Sequence, residues 1–321
     1  MHSFDALSKA FKERFEVKHF PAAPATLYEP ADYFLTLGGK RVRPVMCLMG
    51  NELFDDIGED AWQVATAIEL FHNFTLIHDD IMDKASLRRG QQSLHEKFGS
   101  STALLAGDIL LVIAYDHLNR INTTHLKKII QLFNRTAKQV CDGQQLDMEF
   151  ESRDNVGMEE YLNMIEMKTS VLLASSLQMG SILGGASVGN QQHLYQFGKN
   201  LGIAFQVQDD YLDAFGDPEK FGKEPGGDIK ANKKTFLLIR ALATASSSQA
   251  KALRKLMTEN SATKVKDVLS IFRASKVDEW AEELKEQYYQ EAMKHLEAVA
   301  VMSKRKQPLK ELAEFLIQRD H

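Results

Sequence analysis

Apolar residues recur at steps of three and four over 62–83, 101–118, 125–150, 159–183, 191–215, 233–245 and 277–299, with polar residues filling the positions between. That spacing matches the helical turn, so each stretch predicts an amphipathic α-helix. Strict apolar–polar alternation, the mark of a half-buried strand, is nearly absent. Turn-forming clusters interrupt the pattern at Leu37-Gly38-Gly39, Arg89-Gly90 and Gly184-Gly185. The densest cluster runs from Gly216 to Gly227 and predicts a mobile loop. Helices with one apolar stripe must cover one another, so the pattern predicts an all-α bundle of about ten or more helices. Proline (7) and glycine (19) are sparse and no linker-like stretch occurs, which predicts a single domain over residues 1–321.

Composition narrows the functional classes. With 44% hydrophobic residues the chain can bury a core, and disorder is excluded. Lys plus Arg total 39 against 44 Asp plus Glu, a net charge of -5, so nucleic acid is not an expected partner. Met1–Phe15 is polar and periodic and does not read as a signal peptide. The longest uninterrupted apolar run, Ile109–Tyr115, has seven residues. A membrane span needs about 20, so none is expected. Cys47 and Cys141 form no CxxC pair, which argues against a disulfide framework or zinc site and makes a cytoplasmic protein the expectation.

The chemistry is concentrated in two acidic motifs. In Asp79-Asp80-Ile81-Met82-Asp83 the carboxylates of Asp79 and Asp83 stand one helical turn apart on one face, embedded among Ile77, Ile81 and Met82. The same spacing returns in Asp209-Asp210-Tyr211-Leu212-Asp213. Like charges at that spacing repel, so facing copies on apolar helices call for cations between them. Mg²⁺ fits best, since it prefers carboxylate oxygen and keeps positions open for phosphates. A single copy is more simply a solvated helix face; two copies on apolar helices make that reading poor.

Cations accompany both motifs. Lys40, Arg41 and Arg43 sit at a glycine turn entering a helix; Arg88 and Arg89 follow the first motif; Lys168 and Lys223 bracket the second. Any one of them is ordinarily a surface charge, but together they suit two diphosphate sites. His72 lies almost on the face of Asp79 and is as readily a satisfied core histidine as a ligand. Glu69-Leu70-Phe71-His72 raises a di-iron bundle, yet no second ExxH occurs.

GGKRVRP at 38–44, DDIMD at 79–83 with RRG at 88–90, GDILL at 107–111, Lys168-Thr169, FQVQDDYLD at 205–213 and Gly222-Lys223 resemble, in order, the trans-isoprenyl diphosphate synthases. The resemblance implies the isoprenoid synthase fold, Mg²⁺ and a homodimer. It implies that Lys40, Arg43, His72 and Arg89 hold isopentenyl diphosphate, and that Arg88, Lys168, Thr169, Gln206 and Lys223 surround the allylic diphosphate. It makes Asp79, Asp83 and Asp209 metal ligands, with Asp80, Asp210 and Asp213 as supporting ligands or a second layer. The loop carrying Lys223 is then expected to close over the diphosphate. Two departures stand out. The proline usual after RRG is missing from Gln91-Gln92-Ser93-Leu94, and Asn232 replaces the glycine before Lys233. Asparagine tolerates left-handed backbone, so Lys233 can still be presented.

The implied reaction is ionisation of an allylic diphosphate (dimethylallyl, geranyl or farnesyl), attack by the alkene of isopentenyl diphosphate, and loss of a proton. Lys168 and Lys223 oppose the charge growing on the leaving group, while the Thr169 hydroxyl and the Gln206 carbonyl aim partial negative charge at the cation. A class I terpene cyclase shares the implied fold, but its second metal site is usually not DDxxD. A non-catalytic subunit of a heteromeric synthase commonly loses acidic motifs that are intact here. Product length is expected to depend on the helix beneath Asp79. Helix geometry points to Phe71 as a floor; the family rule stresses Phe74 and Thr75; Phe74 is equally readable as a core aromatic. Both readings bound the product to geranylgeranyl diphosphate, with farnesyl diphosphate next.

Overall fold

The structure, a computed structural model, describes residues 1–153, 155–216, 226–259 and 261–318. Lys223, and with it most of the predicted loop, lies outside the described residues. The elements run α1 (Phe4–Phe15), α2 (Ala25–Thr36), α3 (Val42–Glu52), α4 (Glu59–Met82), β1 (Leu87–Arg88), β2 (Gln91–Gln92), α5 (Leu94–Phe98), α6 (Ser100–Leu118), α7 (Thr123–Ser152) and α8 (Met158–Ile165). A π-helical turn, Glu166–Ser170, joins α8 to α9 (Val171–Leu183), and α10 (Val188–Phe215) follows. Further helices span Gly227–Lys230, Phe236–Thr244, Ser247–Leu256, Lys264–Ala274, Val277–Ala298 and Ser303–Gln318. The all-α expectation holds.

Two features depart from the periodicity. The stretch 159–183 is not one α-helix, because the π turn interrupts it. The Arg89-Gly90 turn closes a small antiparallel hairpin that pairs Arg88 with Gln91. Both turn residues have positive φ, 53° and 76°, the backbone that a two-residue hairpin requires.

The chain forms two compact units, each built from separated segments. Unit 1 comprises 1–134, 175–194 and 300–308. Its centre is α4, which packs most extensively on α6 and also on α3. Val64, Ile68, Phe71 and Ile77 point inward from α4, and each such side chain withdrawn from water contributes about 1.5–3 kcal/mol. Glycine permits close helix contact where a Cβ at Gly184 would lie 2.6 Å from the Asn51 carbonyl oxygen. On its other side α6 leaves Leu104, Leu105, Val112 and Tyr115 exposed, Leu105 at 57%. This helix, with a mean hydropathy of 1.3, is long and apolar enough by length and composition to cross a membrane, which the count of uninterrupted apolar residues did not register.

Unit 2 comprises 135–174, 195–299 and 309–321. Its core joins Tyr161, Met164 and Ile165 of α8 to Ile203, Val207 and Ala214 of α10, and to Phe236, Phe272, Val277 and Ala281 from the later helices. The π turn is gripped from two sides. A Cβ at Gly143 of α7 would collide with the backbone nitrogen of Lys168, and one at Gly202 of α10 would lie 2.8 Å from Ser170 Cα.

Candidate active site

The first motif closes α4, with Asp83 as its C-cap. Because Asp80 sits a third of a turn round from its neighbours, the helix turns it inward while Asp79 is half-buried and Asp83 exposed. Asp80 is 0% exposed, and its Oδ1 accepts from Arg88 Nε (3.0 Å) and Nη2 (2.5 Å). A buried carboxylate needs such a partner, and the two-pronged guanidinium supplies it. The hairpin thereby separates its two arginines: Arg88 reaches Asp80, whereas Arg89 lies over Gly39, where a Cβ would sit 2.7 Å from Nη2.

Arg43 and His72 are brought together, with Arg43 Nη1 donating to His72 Nε2 at 3.2 Å. Burial, reinforced by Arg43, Arg89, Arg88 and Arg41, pushes the imidazole pKa well below 6.5. The ring is therefore neutral near pH 7, accepts through Nε2 and carries its proton on Nδ1. Burial also lowers the Arg43 pKa to about 10, with Glu69 opposing the shift and Arg89 adding to it. Arg43 Nε is buried with no hydrogen-bond partner, so this cationic cluster holds a donor ready for an anion. Lys40 is exposed on the adjoining turn. Arg41 does not join them: it turns inward to a buried ion pair with Glu69 and donates to the Leu35 carbonyl at 3.1 Å.

Beneath Asp79, Phe71 is fully buried, with its ring 5.2 Å from Phe133 and 5.7 Å from Phe74. Phe74 is half-buried and stacks edgewise on His78 at 4.6 Å. Thr75 caps the His72 carbonyl through its hydroxyl at 2.8 Å.

In unit 2 a cavity of about 480 Å³ is lined by residues that include Lys168, Thr169, Gln206, Asp209, Asp210, Asp213 and Lys233. The π turn carries Lys168, whose Nζ donates to Asp147 Oδ2 at 2.5 Å, and Thr169, whose hydroxyl donates to Gln206 Oε1 at 3.2 Å. Gln206 Nε2 donates to Asp210 Oδ1 at 2.9 Å, and the Tyr161 hydroxyl donates to Asp210 Oδ2 at 2.5 Å. Asp210 is thus the counterpart of Asp80, turned inward and satisfied on both oxygens, but by neutral donors. Burial and the negative charge of Asp228 push its pKa up to about 7 against the pull of those two hydrogen bonds and Lys233. Burial likewise raises Tyr161 and Asp228, with Lys233 opposing the latter shift. Asp213 Oδ2 accepts the Asp228 backbone N–H at 2.9 Å. Asn232 does adopt φ 59°, and Lys233 Nζ lies 3.6 Å from Asp228 Oδ1.

Three participants carried no motif signal. Asp147 comes from α7, where it stands five residues after Asp142 and belongs to no DDxxD spacing. Asp228 and Tyr161 likewise lie outside the DDxxD pattern, although Asp228 follows the glycine cluster whose Lys223 was singled out. The donor set suits a hard divalent ion. Among the described residues no group of three or more His, Cys, Asp or Glu side chains forms a closed cage. Asp79 with Asp83, and Asp209 with Asp213, instead offer pairs of carboxylates, the number Mg²⁺ uses when water and phosphate complete its shell.

Residues 24–274 match a family model described as Polyprenyl synthetase. A short chain isoprenyl diphosphate synthase of Methanothermobacter thermautotrophicus is 35% identical over 315 residues, covering 98% of this chain and 97% of that protein. The crystal structure of a geranylgeranyl pyrophosphate synthase is similar with a TM-score of 0.95 and 41% identity, over 99% of each chain. A polyprenyl synthase from Caulobacter crescentus, complexed with calcium and isoprenyl diphosphate, is similar at a TM-score of 0.87 and 26% identity, over 99% of this chain and 98% of that one.

Proposed function

The chain belongs to the polyprenyl synthetase family, and from that premise we propose a short-chain prenyltransferase that condenses isopentenyl diphosphate with dimethylallyl, geranyl or farnesyl diphosphate and stops at geranylgeranyl diphosphate. The observation that carries this reading is the repeated arrangement of the two motifs. Each turns its middle aspartate into the interior, while its other two aspartates lie nearer the surface, those of the second motif in a cavity also lined by Lys168 and Lys233. That suits residues that hold a metal–diphosphate rather than one another.

Asp79 and Asp83 in unit 1, and Asp209 and Asp213 in unit 2, would hold Mg²⁺, which supplies neutralisation of the departing diphosphate. Asp80 and Asp210 are assigned to positioning instead, since their oxygens already serve Arg88, and Tyr161 with Gln206. Arg43, Arg89 and Lys40 bind the isopentenyl diphosphate, and neutral His72 orients Arg43 without adding charge. Arg88, Lys168, Lys233 and Lys223 counter the allylic diphosphate. Thr169 and the Gln206 carbonyl present partial negative charge to the allylic cation. Exclusion of water protects that cation.

Whole-chain membership of one domain, a cytoplasmic location and a homodimer complete the reading. The dimer is supported by the exposed apolar stripe of α6, which a second copy would cover. The decisive assay incubates the protein with labelled isopentenyl diphosphate, Mg²⁺ and each allylic primer, and sizes the products. Elongation to the twenty-carbon diphosphate is expected. Turnover of the allylic diphosphate without isopentenyl diphosphate points to a cyclase, and no turnover points to a non-catalytic subunit. Replacing Phe71 and Phe74 by Ala, singly and together, identifies the floor by a shift to longer chains.

A further inference from the structure

Gln206 is held at both ends, at one directly and at the other through Asp210, by the continuous segment of α8 and the π turn. Its Oε1 accepts from Thr169 on the π turn, while its Nε2 donates to Asp210, whose other oxygen accepts from Tyr161 on α8. Tyr161 and Asp210 are each 5% exposed, and the Tyr161 ring is fixed in the core against Phe236 at a centroid distance of 6.3 Å. In its carboxylate form Asp210 can only accept, and toward it the amide presents its NH₂. Its carbonyl oxygen is then committed to Thr169 and the cavity. In the opposite orientation the amide would place positive N–H groups where the proposed reaction develops a cation.

We propose that Tyr161 is a positioning residue for the prenyl transfer: by pinning the Asp210 carboxylate it fixes the Gln206 amide with Oε1, and not Nε2, toward the reacting carbon. The inference rests on the function proposed above. Tyr161 is among the residues that line the cavity, and the effect proposed for its hydroxyl passes through Asp210 and Gln206. The phenol suits the task because it adds a single donor at one end of a rigid, buried ring. Lysine or arginine in its place would pair with Asp210 and place a cation in the network behind Gln206.

The test is a double-mutant cycle on the full-length enzyme with Mg²⁺, using Tyr161→Phe, Gln206→Leu and both together. Phenylalanine keeps the ring and its packing and removes the hydroxyl alone. Tyr161→Phe is expected to lower kcat about tenfold, the size of one lost hydrogen bond expressed in the transition state. The KM for each diphosphate and the Mg²⁺ concentration at half-activity are expected to stay within about twofold of the parent values. In the Gln206→Leu background Tyr161→Phe is expected to cause no further loss, because the group it positions is gone. Multiplying losses in the double variant, an unchanged kcat in Tyr161→Phe, or an increased Mg²⁺ requirement would each overturn the proposal. Single-turnover rates normalised to the folded fraction, read by near-ultraviolet circular dichroism, keep the cycle interpretable where a variant is partly unfolded. Parent enzyme that makes no elongated product defeats the proposed function instead, so the two failures are separate.

Discussion

The two aspartate motifs share one spacing and differ in what holds their inner carboxylate. In unit 1, Asp80 is clamped by the Arg88 guanidinium. In unit 2, Asp210 is held by a phenol and an amide, and its pKa rises to about 7. A buried charge matched by an opposite charge is rigid and intolerant of change, because removal of either partner strands the other. A buried carboxyl matched by neutral donors can gain a proton and keep its hydrogen bonds. One pattern in the chain thus yields an anchor held by an opposite charge in one unit and an anchor held by neutral donors in the other.

The largest expected effect tests what the motifs have in common. Asp79→Ala and Asp209→Ala should each lower turnover about a thousandfold or more, since on the proposed function each removes a ligand for an ion that supplies several kcal/mol at the leaving group. Helicity should be preserved in both, and labelled isopentenyl diphosphate incorporation beside far-ultraviolet circular dichroism checks it. Near-parental activity in both would remove the equivalence from which the comparison starts.

The next effect separates the motifs by stability. Arg88→Met leaves Asp80 buried and unpaired and should cost about 3 kcal/mol or more, whereas Tyr161→Phe removes one neutral donor and should cost about 1 kcal/mol. Urea unfolding of metal-free protein measures both. Equal losses would show that the difference in partners has no energetic consequence.

Glycine substitutions give a smaller contrast of the same kind. At Gly143 a methyl group meets the Lys168 backbone, while at Gly39 it meets the movable end of Arg89 and is also strained by the φ of 137°. Gly143→Ala should therefore lower kcat by displacing Lys168 and Thr169. Gly39→Ala should chiefly raise the KM for isopentenyl diphosphate, by about threefold to tenfold, the range of a partly lost charged contact. Steady-state kinetics with each substrate varied separates the two.

The last expected effect is in the response to pH. Asp210 has a folded pKa of about 7 against 3.8 unfolded, so its contribution to stability is full below 3.8 and is lost as pH rises through 7. His117 in unit 1 runs the other way. Burial, Arg120 and His19 lower its pKa to about 4 from 6.5, so its contribution is present above 6.5 and is lost as pH falls through 4. Urea midpoints of metal-free protein across this range should lose their acid limb in His117→Gln and their neutral limb in Asp210→Asn.

Much of this was readable from the residues alone. Each stretch of helical periodicity became helical, 159–183 with a π turn interrupting it, and the spacing of Asp79 with Asp83 and of Asp209 with Asp213 put each pair on one helix face. Asn232 took the left-handed backbone expected of it. These features depend on neighbours within a turn or two of the chain, where period and propensity act directly. Other features had no local signature. Three cations at the glycine turn look alike in sequence, yet Arg41 is buried on Glu69 while Arg43 meets His72. Asp147 reaches Lys168 from another helix, and the π turn that presents Lys168 exists where Gly143 and Gly202 let flanking helices approach. The sequence by itself determined how far apart along a helix the carboxylates of each DDxxD motif stand and which cations lie near them in the chain. Tertiary structure alone decided which of them face inward and with whom they pair, because burial and ion pairing depend on distances between segments far apart in the chain, and helical periodicity encodes nothing about those distances.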